Sequence, residues 1–146
     1  MKTDQDVLEL LIANEKKLAL LYMRYSELFP NHDFWLGLSK DEEEHAALLQ
    51  MLGENFKFEN NLSSLSADLK HFTQSVEKDY SEASVTTSSE ALKRAIYYEE
   101  TIIDKNAFEI FASGQPPEIL KVIERIKDET TGHRNSLIRE KNKLKN

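Results

Sequence analysis

Apolar residues recur along this chain at spacings of three and four, the pattern of helices that each bury one face. Leu8, Leu11, Leu18, Tyr22, Tyr25 and Phe29 form the first stripe, and Glu15 occupies its middle. Asp4 suits an N-cap and Pro30 a stop, so the pattern predicts a helix over about 5–28. A second stripe starts near Asp33 and runs through Trp35, Leu38, Leu49 and Leu52, with Glu42 and His45 at its inner positions. Gly53 reads as the C-terminal stop of this helix. The link between the two helices is short, which predicts antiparallel neighbours.

Asn60, Asn61 and several serines then break the periodicity, and Leu62, Leu65, Leu69, Phe72 and Val76 resume it. This predicts a shorter helix over about 62–81 inside a long connection. Thr87 lies three residues before Glu90, a capping-box start. Leu92, Ala95, Ile96, Ile102, Ile103, Asn106 and Ile110 mark the next helix, with Glu99 among them. Pro117 suits the first turn of the last helix, whose stripe is Ile119, Ile123, Ile126, Thr130, His133 and Leu137. No strand pattern and no solenoid repeat is visible. The expectation is one all-α domain over 1–146, a four-helix bundle whose second and third helices are joined by a long crossover containing the shorter helix.

Composition narrows the chemistry. The 146 residues contain no cysteine, which excludes disulfides, zinc ribbons and rubredoxin-type iron sites. A formal net charge of −7 speaks against a nucleic-acid partner, since phosphate binding needs a basic face. No apolar run is long enough to span a bilayer, and the opening residues lack the apolar stretch of a signal peptide, so no membrane role and a cytoplasmic location are expected.

Glu42 and His45 are three apart and share a helix face. Asp41, Glu43 and Glu44 point elsewhere and read as a solvated edge. Such a pair alone means little in an acidic helix. Here every main helix places a metal-competent group at the middle of its apolar stripe: Glu15, Glu42 with His45, Glu99, and His133. A buried, uncompensated carboxylate costs several kcal/mol, and three converging carboxylates also repel one another. They must take up protons or find positive charge. A divalent ion meets that need, and oxygen plus imidazole ligands suit iron or manganese. The plainer alternatives are acids solvated at the stripe's edge and core histidines bonded to neighbouring acids.

At these residues the chain resembles the rubrerythrin-like branch of the ferritin-like superfamily. The carriers are Glu15 followed by LALLYMRYSELFP, then DFWLGLSKDEEEHAALL, ALKRAIYYEE and IERIKDETTGHRNSL, covering nearly the whole chain. The resemblance implies a ferritin-like four-helix bundle holding two iron ions. Glu15 and Glu99 would be terminal ligands, Glu42 a bridging ligand, and His45 and His133 one imidazole for each metal. It also implies peroxide or dioxygen reduction with electrons from a separate redox protein, and a homodimer.

Two positions depart from that family. Its second Glu-x-x-His needs Glu at 130, where this chain has Thr130. Glu129 is adjacent, yet one helical residue is about 100° of rotation, so it turns inward only if the helix is distorted near Gly132. True rubrerythrins also carry a glutamate at the place of Ile102. Two divalent ions bring four positive charges against the three negative ones of Glu15, Glu42 and Glu99. Glu129, hydroxide or an exogenous carboxylate would supply the difference. The expectations are therefore a di-iron oxidoreductase, a module binding iron, manganese, zinc or a single ion without efficient turnover, or a metal-free bundle acting through its helix faces.

Overall fold

The computed structural model describes residues 4–55, 63–104 and 114–144. The first apolar stripe becomes helix α1 (Asp4–Leu28), and Leu8, Leu11, Leu18, Tyr22, Tyr25 and Phe29 are all buried. A three-residue turn leads into α2 (His32–Asn55), which buries Trp35, Leu38, Glu42, His45, Leu49 and Leu52. Ser39 donates its hydroxyl to the Ala19 carbonyl at 2.7 Å, and the Trp35 ring lies 5.6 Å from Tyr22 and 4.9 Å from Tyr25. Those pairs fix α1 and α2 antiparallel, as the short link predicts. Trp35 is the aromatic anchor that starts α2, wedged between two tyrosines of the preceding helix.

Gly53 does not stop α2. The helix runs two residues further, and Asn55 Nδ2 donates to the Met51 carbonyl at 2.8 Å. The side-chain amide satisfies a terminal carbonyl that a glycine in left-handed conformation would otherwise serve through the backbone. Helix α3 (Ser63–Ser81) follows, burying Leu69, Phe72 and Val76. Thr73 of α3 donates its hydroxyl to the side-chain carbonyl of the buried Asn14. Lys17 and Leu20 of α1 then share a groove with Val76, Glu77 and Tyr80 of α3, so α1 and α3 run parallel. A single 3-10 turn (Ala83–Val85) closes this part of the chain.

The chain divides into two compact units, Met1–Val85 and Thr86–Asn146. In the C-terminal unit, the Glu90 amide donates to Thr87 Oγ1 at 3.1 Å, and α4 spans Ser88–Asp104. Gly114, with φ of 77°, precedes α5 (Pro117–Leu144), which packs against α4. Helix α5 buries Ile119, Ile123, Ile126, Thr130, His133 and Leu137 in the expected order. The positions assigned to Leu62, Asn106 and Ile110 lie outside the described residues. Among the described residues the fold is all-helical, without strands, and no helix is long and apolar enough to cross a membrane.

Candidate metal centre

Glu15, Glu42 and His45 meet in the seam between α1 and α2. Glu15 is 2 % exposed, and Glu42 and His45 are fully buried. His45 Nδ1 lies 3.6 Å from Glu42 Oε2 and 3.8 Å from Glu15 Oε2. One ligand atom from each residue falls within 4.8 Å of the others. The neighbouring turns are apolar: Leu11 and Leu18 flank Glu15 on α1, and Leu38 and Leu49 flank the acid and imidazole on α2. Two turns away, the Tyr22, Tyr25 and Trp35 rings fill the same seam. Water is kept from the cluster on either side along the helix axes.

The spacing suits one ion. Two ligand atoms each about 2.1 Å from a metal stand roughly 3.0–3.4 Å apart at angles between square and tetrahedral. The two His45 distances exceed that range by only a few tenths of an ångström, a gap that small side-chain rotations close. Glu15 Oε2 is buried and makes no hydrogen bond among the described residues. An acceptor in that situation is costly unless a cation or proton reaches it.

The electrostatics say the same. Burial holds the Glu15 carboxyl well above its ordinary range, and the Glu42 carboxylate adds to the rise while His45 opposes it. Burial pulls the His45 imidazolium down, but the Glu15 and Glu42 carboxylates outweigh it and push its pKa up to about 11. Without another cation the cluster takes up protons, and a metal entering it would have to displace them.

The C-terminal unit carries the second set. Glu99 of α4 is fully buried, and its Oε1 lies 3.4 Å from Nδ1 of the nearly buried His133 on α5. In both units the ring nitrogen facing the acid is Nδ1. Beside Glu99, Tyr98 accepts a hydrogen bond at 3.2 Å from Arg94, whose guanidinium packs 5.3 Å from the Tyr98 ring centre.

The two departures from the resemblance have definite geometry. Thr130 is buried, and its hydroxyl back-bonds to the Ile126 carbonyl at 2.8 Å. Glu129 is 32 % exposed and bound to Arg125 Nε at 2.9 Å, one turn back along α5. Helix α5 continues unbroken through Gly132, so the local rewinding needed to turn Glu129 inward is not seen. Ile102 is half-buried.

Several buried polar groups escape a search for metal ligands. Asn14 ties α1 to α3, and Ser39 ties α2 to α1. Both lie beside the stripe positions, and short polar residues one place from a stripe give no signal until the partner helix is known. His32 and His71 are exposed, and His32 Nδ1 meets the Ser26 carbonyl at the turn into α2. No protein-family model matches the chain, and no match was found among curated proteins or solved structures.

Proposed function

We propose that this protein binds a divalent metal ion through Glu15, Glu42 and His45, with Glu99 and His133 as a second ligand set. The observation that carries the reading is the buried triad of the α1–α2 seam, three ligand atoms within 4.8 Å between leucine-bearing turns of the two helices. Oxygen and nitrogen donors without a thiolate favour iron or manganese, with zinc also accommodated. The resemblance at these residues extends the proposal to a ferritin-like bundle of the rubrerythrin-like branch, loaded with iron and reducing peroxide or dioxygen with electrons from a separate redox protein.

When bound, iron would supply Lewis acidity and electrons. The chain's own residues do the remainder. Glu15 and Glu42 would neutralise the ion, His45 would give up a proton to hold it, and the leucine layers would keep water out. Thr130 favours a second reading, a metal-binding module without efficient turnover. Its hydroxyl is satisfied by its own helix, and it contributes no carboxylate to the Glu99–His133 set.

Glu15→Gln is the test of the triad. The substitution keeps the shape and removes a charged ligand. Calorimetric titration with Mn²⁺ should show affinity falling by about 100-fold or more, beyond the usual cost of an outer-shell change, while metal-free stability is kept or raised. Equal Mn²⁺ affinity in the two proteins refutes ligation by Glu15. Peroxide consumption by the ferrous protein separates the enzymatic reading from the binding module.

A further inference from the structure

Ser39 is fully buried on α2, one turn before Glu42. Hydroxyls inside helices commonly bond a carbonyl one turn back in their own helix, and Thr73, Thr101, Thr130 and Thr131 all do so here. Ser39 instead donates across the seam, to the Ala19 carbonyl of α1 at 2.7 Å. A carbonyl has two lone pairs, so this one can accept from Ser39 beside its bond within α1. A side chain as short as serine reaches a neighbouring backbone only where two helices come close. The small, buried Ala19 permits that approach.

The level of the bond in the seam matters. Helices α1 and α2 are antiparallel, so a step from Ala19 back to Glu15 and a step from Ser39 on to Glu42 travel the same way. The two acids lie about 6 Å and about 4.5 Å along the axes from the bond, one helical turn each. The opposite direction leads to Tyr22 and Trp35, whose rings stand 5.6 Å apart. A polar tie between backbone and side chain thus borders the ligands on one side and the aromatic layer on the other. The three ligands do not depend on it equally. Glu42 and His45 share α2, and that helix sets their 3.6 Å gap. Glu15 comes from α1, and its 3.8 Å gap to His45 is set by how α1 lies against α2.

We infer that Ser39 is a positioning residue for the metal site: its hydroxyl, bound to the Ala19 carbonyl, holds α1 where Glu15 stands within reach of an ion faced by Glu42 and His45. The inference rests on the proposed triad and acts through Glu15. A double-mutant cycle on the full chain tests it, with Mn²⁺ binding read from the electron paramagnetic resonance signal of the free aquo ion. Ser39→Ala should weaken Mn²⁺ binding by about tenfold, the scale of losing an outer-shell partner. In the Glu15→Gln background the same change should cost less than about twofold, because the carboxylate it positions is gone. Thr87→Ala, which removes the cap of α4 in the other unit, should leave Mn²⁺ affinity within about twofold of wild type. Circular dichroism verifies that each variant is folded. A wild type that binds no Mn²⁺, or one matched by Glu15→Gln, overturns the triad and this inference with it. If Glu15→Gln weakens binding and Ser39→Ala does not, this inference alone falls. It falls also if Ser39→Ala costs as much without the Glu15 carboxylate as with it. A loss in Thr87→Ala as large as that in Ser39→Ala overturns it too, since affinity would then follow stability and not position.

Discussion

The side chains that define the triad are costly ones to bury, and their titration reveals what the fold does with them. His45 is held at a pKa of about 11 against an ordinary 6.5. Between those values the folded metal-free protein keeps a proton that the unfolded chain has released. A raised pKa therefore gives stability that is complete below 6.5 and is lost as pH climbs towards 11. Glu15, also raised, adds to the loss in the same direction from its ordinary 4.5 upwards. The unfolding free energy of metal-free protein should thus fall between pH 7 and 9, with His45 contributing up to about 1.4 kcal/mol per pH unit. Urea midpoints measured at several pH values check this, and His45→Gln should flatten the slope. Saturating Mn²⁺ should reverse it, because the ion replaces the protons and binds better where they are scarce. A metal-free slope of the opposite sign would mean that the cluster does not hold its protons.

Helices are where the sequence is most legible, and the start of α4 shows why. Thr87 and Glu90 announce a capping box, and the Thr87 hydroxyl does accept the Glu90 amide. Thr87→Ala should cost about 1 kcal/mol in a urea titration, the usual value of an N-cap; an unchanged midpoint would show that α4 begins without it. Buried positions on α1, α2 and α5 are legible for a comparable reason, since one apolar stripe at helical spacing has a single inward phase. That phase places Glu15, Glu42, His45 and His133 as well as the leucines. Helix ends are less legible. Gly53 is a good stop only if its backbone turns left-handed, and the Asn55 amide removes that need by serving a carbonyl from further along the chain. Parallel packing of α3 on α1 is not legible at all, because it depends on an Asn14–Thr73 contact between residues 59 apart. Helix α5 yields a sharper expectation. Thr130→Glu places a carboxylate three residues before His133, on the buried face that the Thr130 side chain already occupies. It should destabilise metal-free protein by about 2 kcal/mol, through overpacking and a further buried acid. Metal should more than recover that loss, and Mn²⁺ occupancy at fixed free ion should rise. Unchanged occupancy would show that position 130 has no access to the ion.

If the proposed ligand sets bind metal, charge should decide the order in which ions enter. The acidic chain attracts cations generally, yet its two buried ligand sets are unequal. Glu15 and Glu42 offer two negative charges, so one divalent ion with neutral His45 makes a site of zero net charge. Glu99 with neutral His133 offers one, and a divalent ion there leaves an excess positive charge in a buried place. Desolvated charge is costly, and so the N-terminal set should fill first and more tightly. Titration of metal-free protein with Mn²⁺ should therefore resolve a tight event before a weaker one, and the first should survive in Glu99→Gln/His133→Gln with its affinity nearly intact. Glu15→Gln/His45→Gln should abolish it. The second event should be the one that strengthens in Thr130→Glu, because the new carboxylate supplies the missing negative charge. Loss of the tight event in the C-terminal double variant would show that the triad does not hold an ion by itself.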